Sequence, residues 1–213
     1  MNWFPAALGS SVGKKLMMAL TGLAFVGFLA AHLAGNLTIY GGKAAFNGYA
    51  EKLQSLGPLL NLFRAGLIGF ALVHVLTGLY LFLLNRKARP VGYRTHASAG
   101  GRTLSSRTMP YTGLVILAFV VFHLFHFTFV DKTATTVFDM VTAAFNQPGY
   151  MLLYAALMIV VALHVRHGFW SAFQTLGGNH PKYMTAISAV SIAAGVLVAL
   201  GFGVLPFVIA LRY

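Results

Sequence analysis

The residues of this chain best able to do chemistry are its histidines: His32, His74, His96, His123, His126, His164, His167 and His180. His96 and His180 stand in polar segments, and the other six stand inside long apolar runs. An ionisable side chain in hydrocarbon is costly and marks function by default. There is no cysteine among the 213 residues. That excludes disulfides, iron–sulfur ligation and thiolate-bound metal on this chain. Other transition-metal centres ordinarily add a carboxylate, yet Glu51, Asp131 and Asp139, the 3 acidic residues present, all fall outside the apolar runs. What remains is imidazole paired with imidazole. A haem iron held on both faces by imidazole suits electron transfer, because no position is left open for a substrate.

Such histidines must be carried by elements that cross lipid. Five apolar stretches, at about 16–40, 58–84, 109–130, 149–173 and 183–210, can each cross ~30 Å of hydrocarbon, which takes about 20 helical residues. Backbone groups in lipid must be satisfied internally, so these runs are helices, and the alternating ten-residue pattern of a β-barrel is absent. The expected fold is an all-α integral membrane protein, a five-transmembrane-helix bundle enclosing two stacked haems, with residues 1–213 forming a single membrane domain. Composition agrees: 58% of residues are hydrophobic and 8% charged, against about 25% charged in soluble domains. The net charge of +12 sits mainly in short segments between apolar runs. It points to topology and anionic lipid headgroups, not to nucleic acid. No phosphate loop, dinucleotide fingerprint, zinc-hydrolase motif or hydrolase nucleophile elbow is present.

Basic residues set the orientation. Lys14, Lys15, Lys182 and the 85–108 segment with Arg86, Lys87, Arg89, Arg94, Arg102 and Arg107 fall on one side. Lys43, Lys52, Arg64, Lys132, Arg212 and all three acids fall on the other. The positive-inside rule makes the first side cytoplasmic, with the N-terminus inside, the C-terminus outside and 85–108 as the natural dock for a soluble partner. The expected location is the cytoplasmic membrane of a prokaryote. Depth then sorts the histidines: His32 and His123 lie in the outer half, His74 and His164 in the inner half. Each level takes one histidine from each of two helices. His126 and His167 follow by three residues, one turn nearer the surface. Either member of each pair can be the ligand, the other then facing the propionates, for which Arg166 is a further partner. Arg64 is placed for the outer haem, for a quinone pocket or for snorkelling to the interface. Glycines 22, 27, 35, 66, 69 and 78 allow close helix approach or room for a flat macrocycle. The amphipathic segment Val137–Phe145 suits the interface. The fifth span is a packing helix or part of a quinone cleft.

Several motifs carry a resemblance: His32-Leu33-Ala34-Gly35-Asn36, His74-Val75-Leu76-Thr77-Gly78, Ser106-Arg107-Thr108-Met109, Phe122-His123-Leu124-Phe125-His126-Phe127, and Leu163-His164-Val165-Arg166-His167-Gly168-Phe169-Trp170. In this order and spacing the chain resembles the cytochrome b membrane anchor of succinate:quinone oxidoreductase and di-haem fumarate reductase, in the single-subunit, five-helix form. The resemblance implies two haems b, with His32 and His123 on the outer one and His74 and His164 on the inner one. It implies a flavoprotein subunit and an iron–sulfur subunit on the cytoplasmic face, and exchange with a quinone, with a lean toward menaquinone. The nearest counterpart of a functional glutamate in some of these anchors is Glu51, although its register departs from the pattern. The outer end, with Arg64, Glu51 and His126, is the expected quinone site, and an inner site beside His167 or His96 competes with it. Alternatives are the cytochrome b anchor of a hydrogenase or formate dehydrogenase, or a cofactor-free anchor or transporter; a transporter would be marked by broken spans or an inverted repeat.

Overall fold

Local signals set where the helices start and stop. Ser10 accepts a hydrogen bond from the Gly13 N–H at 3.0 Å and so caps α2 (Ser11–Leu37), behind the short α1 (Trp3–Gly9). Side-chain oxygens at this position satisfy one of the orphan amides of a helix start. Pro58 opens α4 (Pro58–Lys87) and Pro148 opens α7 (Pro148–Thr175), at positions where a missing N–H costs nothing. His180 caps α8 (Pro181–Gly203): its Nδ1 accepts from the Lys182 N–H at 3.2 Å. α7 ends where Gly177 turns to φ +88°. There the Gly178 N–H reaches back to Phe173 O at 2.8 Å and the Gly177 N–H to Gln174 O at 3.2 Å, which satisfies two carbonyls the helix leaves unpaired.

The computed structural model describes residues 3–88 and 104–213. Arg89, Arg94, His96 and Arg102 lie outside the described residues. Among the described residues, 5 helical segments are long and apolar enough to cross a membrane: Ser11–Gln54, Pro58–Lys87, Leu104–Thr128, Pro148–Thr175 and Pro181–Arg212. The chain is an all-α, multi-spanning membrane-helix bundle.

Three details differ from the expected pattern of spans and loops. The segment after the first span is helical, not a loop: a 3₁₀ turn (Thr38–Gly41) leads into α3 (Gly42–Gln54), and Gly42 at φ +83° makes the bend between them. The third span, α5 (Leu104–His123), ends in a π turn over Leu124–Thr128, closed by Phe129 N–H on Leu124 O at 2.8 Å. The fifth span breaks at Val204, because Pro206 has no N–H to continue the ladder; the chain restarts as α9 (Leu205–Arg212). The amphipathic segment forms α6 (Val137–Phe145), as expected.

α7 is the central helix and packs against α2, α5 and α8. Met158, Val161, Ala162 and Val165 of α7 meet Val198 of α8, with Val26 and Leu29 of α2 and Ile116 and Phe119 of α5 around them. Close approach needs Gly201: a Cβ there would lie 2.6 Å from Leu33 Cδ2 of α2. α4 is held chiefly by α2. A second core closes one end of the bundle, where Ile39, Phe46, Phe138, Tyr154, Leu205 and Ile209 join α3, α6, α7 and α9.

Polar ties fasten the same end. Asn47 Oδ1 accepts from the Phe138 N–H at 3.0 Å, and Tyr213 donates to Ile39 O at 2.9 Å. Lys43 donates to both carboxylate oxygens of Asp139 at 2.8 Å. Lys43 and Asp139, placed on one side by the charge pattern, share one end of the bundle. The Asp139 carboxyl is held below its usual range, first by Lys43 and then by the Thr136 hydroxyl, which donates to it at 2.7 Å. Its folded pKa is depressed. The tie therefore contributes fully above the unfolded value of about 3.9 and is lost as pH falls through the folded value.

Two outcomes follow from this packing. Gly201→Ala destabilises the bundle by about 1–3 kcal/mol through overpacking against Leu33, measured by thermal unfolding in micelles. Asp139→Asn lowers the Tm at neutral pH, and its gap from wild type closes as pH falls below the unfolded carboxyl value of about 3.9 and through the depressed folded one.

Candidate functional site: imidazole pairs at two depths

Spans of unbroken helix bring His74 and His164, which share one level, against two identical dipeptides. α2 presents Thr21-Gly22 and α5 presents Thr112-Gly113. His74 of α4 places Nδ1 3.1 Å from Met18 O and 3.2 Å from Thr21 Oγ1. A carbonyl can only accept, so Nδ1 carries the proton and Nε2 keeps its lone pair. The Thr21 hydroxyl spends its own proton on Met17 O at 2.8 Å. His164 of α7 repeats the device: Nδ1 lies 3.0 Å from Thr112 Oγ1, whose proton is directed at Met109 O, 3.1 Å away, and Thr108 O, 3.2 Å away. Nε2 of His164 is thus also left as the free donor atom.

The glycine beside each threonine lets the ring lie close to its helix, most tightly at Gly22. A Cβ on Gly22 would meet His74 Cε1 at 3.2 Å, and one on Gly113 would meet His164 Cε1 at 3.4 Å. His74 and His164 make no direct ring contact among the described residues.

Each threonine stands eleven residues before the next histidine of its own helix, Thr21 before His32 and Thr112 before His123. At 1.5 Å per residue the two levels are about 16 Å apart along the helices. At the second level the His32 and His123 rings meet edge to face, centroids 6.0 Å apart and planes at 81°. Here Asn36 Nδ2 lies 3.4 Å from the ring nitrogens of His32, and aromatic packing surrounds both rings. Phe28 stacks on His32 at 5.4 Å, Phe202 of α8 reaches it at 5.6 Å, and Phe119 and Phe127 flank His123 at 5.9 and 5.4 Å. The Nδ1 atom of His123 is buried without a hydrogen-bond partner.

The helper histidines part company with the pairs. The π turn carries His126 toward α7, where its Nδ1 pairs with the Tyr154 hydroxyl at 3.0 Å and its ring lies 4.6 Å from Tyr150. His126 makes no ring contact with His32. His167 packs on Trp170 at 5.9 Å. Arg166 faces the groove between α7 and α8; two residues of helix turn it about 200° from His164. Arg64 is exposed and donates to Asn61 Oδ1 at 3.2 Å. Glu51 is exposed on α3, and no contact joins it to Arg64 among the described residues. Gly27, Gly66 and Gly69 face open space.

Chemically, the donors come in twos. No group of three or more His, Asp or Glu converges among the described residues, so the pattern is not that of an ion held by protein ligands alone. A haem supplies four nitrogens itself and asks the chain for two. The residues present fit that demand. Two imidazoles on opposite faces of one metal, each at about 2 Å, have centroids on the order of 6 Å apart, as His32 and His123 do. The inner pair offers two Nε2 lone pairs, oriented by hydrogen bonds on the opposite ring nitrogens, the arrangement in which metal-bound histidines are usually fixed.

Sequence reasoning missed Thr21, Thr112 and Tyr154. The recurring Thr-Gly pair at the same distance from His32 and His123 was a legible signal for the first two. Tyr154 had none, since an apolar span commonly contains tyrosine. In comparisons with known proteins, no family model, no curated protein and no solved structure matches the chain.

Thr112→Val strips His164 Nδ1 of its partner, whereas Thr21→Val leaves His74 bonded to Met18 O. Thr112→Val is therefore the more damaging, by about 1–2 kcal/mol in unfolding measurements. Tyr154→Phe, which keeps the packing and removes the bond to His126, costs about 1 kcal/mol.

Proposed function

We propose that the chain is a di-haem cytochrome b anchor of the succinate:quinone oxidoreductase and fumarate reductase type. In this reading it passes electrons between a cytoplasmic flavoprotein and iron–sulfur pair and a membrane quinone. The observation that carries it is the ring contact of His32 with His123 at one level, with His74 and His164 at another level each held by an Nδ1 hydrogen bond. His32 with His123 would hold one haem b, and His74 with His164 the other. Haem supplies a one-electron couple, and a second one about half a membrane away extends the electron path across the slab.

The chain's own residues do the rest. Met18 O, Thr21 and Thr112 keep these imidazoles in the Nδ1–H tautomer, so that the Nε2 lone pairs would be available to hold iron. Gly22 and Gly113 let those rings approach α2 and α5. Phe28, Phe119, Phe127 and Phe202 exclude water around the outer pair. Quinone chemistry exchanges protons and belongs near a wet surface. The outer end carries Arg64, Glu51 and the hydrogen-bonded His126–Tyr154 pair, which favours a quinone site there, with menaquinone as the favoured type. The N-terminus is cytoplasmic and the C-terminus outside. The basic 85–108 segment docks the iron–sulfur subunit.

A second reading is a cofactor-free membrane anchor, and the lack of any converging group of three metal-binding side chains among the described residues favours it. Another respiratory cytochrome b, as in a hydrogenase or formate dehydrogenase, would share the imidazole pairs. The optical spectrum separates the first of these. Pyridine haemochrome assay of the purified complex gives about two haems b per chain; a value near zero establishes the cofactor-free reading. His123→Ala removes about half of the haem and His126→Ala retains it. Glu51→Gln and Arg64→Leu slow quinone-linked turnover while both haem signals persist. Wild-type turnover in these two, with loss in a His167 variant, moves the quinone to the inner end.

A further inference from the structure

Arg166 is a permanent charge inside α7, and it makes no hydrogen bond or ion pair among the described residues. Beside it runs an open groove of about 310 Å³ between α7 and α8. Ala162 and Gly195 form its floor, where the helices touch: a Cβ on Gly195 would lie 3.1 Å from Ala162 O and 3.1 Å from Arg166 Cβ. Ile159 and Val196 form its rims and are exposed, at 60% and 47%. On a membrane span, exposure of this kind faces lipid.

The groove has a polarity. α7 has 28 residues, about 42 Å of helix, against ~30 Å of hydrocarbon. Arg166 stands nine residues, about 14 Å, from the Thr175 end, which places its Cα within snorkelling reach of that interface. Ile159 lies seven residues, about 10 Å, deeper. A guanidinium at the surface end and an apolar channel running toward the midplane match the layout of one lipid molecule, phosphate first and acyl chain below. An unpaired arginine in this position calls for an anion, and phosphate is the anion its planar fork binds best.

We propose that the α7–α8 groove is a binding site for an anionic phospholipid of the leaflet nearer the α7 C-terminus, with Arg166 pairing its phosphate and the groove taking one acyl chain. This site is independent of the imidazole pairs, since Arg166 projects from the opposite side of α7. It assigns Arg166 a ligand other than a haem propionate.

The test is native mass spectrometry of the full-length protein, purified with its partner subunits, delipidated and titrated with phosphatidylglycerol or phosphatidylcholine. The expected result is one tightly held phosphatidylglycerol, with phosphatidylcholine held less well. Arg166→Gln weakens that binding at least about tenfold, the loss of a charge-assisted contact, and Arg166→Lys recovers part of it. Val196→Trp fills the groove from its exposed rim, spares the charge and also removes the bound lipid. Phosphatidylglycerol retained at wild-type affinity in Arg166→Gln or in Val196→Trp overturns the proposal. Loss of haem without loss of lipid in Arg166→Gln also overturns it and returns Arg166 to the propionates. Haem content is read in the same spectra, so failure of the lipid site and failure of the cytochrome reading are told apart.

Discussion

In hydrocarbon there is no water to take up a hydrogen bond that the protein leaves unmade. That constraint governs this molecule from its backbone to its imidazoles. The backbone answers with helix, and the breaks that occur are each closed locally, as at Gly177 and at the π turn. The inner histidines answer by donating Nδ1–H to Met18 O or to a threonine already anchored on its own helix. Each imidazole is thereby given a single tautomer, and the nitrogen that remains is the one able to bind metal.

The outer level solves the same problem differently. His32 and His123 sit among phenylalanines, and the partner of His123 Nδ1 is missing among the protein groups around it. A buried polar atom left in this way is destabilising by about 1–3 kcal/mol and persists where it serves function. The nearby π turn belongs to the same economy. It begins directly after His123 and carries His126, whose Nδ1 pairs with the Tyr154 hydroxyl, while both rings pack on Tyr154 and Phe127. Turns of this kind are frequent at functional sites.

The end of the bundle that carries Asp139 and Lys43 is its most tightly fastened part, through α3, α6, α9 and the Tyr213 hydroxyl. α4 is the least enclosed of the long helices, fastened mainly to α2. The contacts that hold the helix carrying His74 to α2 include those of His74 with Met18 O, Thr21 and Phe25, and that of Gly78 with Met18 Sδ. Ligation of His74 and His164 to one iron would join α4 to α7, a tie the packing alone supplies weakly.

Much of this was legible in the residues. Five runs of apolar side chains are five crossings because hydropathy and length are summed along the chain. The depth of each histidine follows from helical rise, and the grouping of Lys43, Lys132 and Arg212 at one end from charge counting. The helix α6 was readable from its amphipathic period. Other features were decided only by the fold. Nothing in the spacing of His123 and His126 said which would meet His32, because a regular helix puts both on one face; in the fold His123 makes that ring contact and His126 hydrogen-bonds Tyr154. The helix over 42–54 replaced an expected loop because its polar residues are satisfied at the surface end, where hydropathy carries little signal. Arg166 was adjacent to His167 in sequence and yet faces another helix, since neighbours in a helix point about 100° apart. Sequence alone determined the class of element and its depth, which are properties of one chain segment in lipid. Tertiary structure decided which side chains meet, because that depends on the rotation of each helix about its axis, and rotation is set by packing against neighbours.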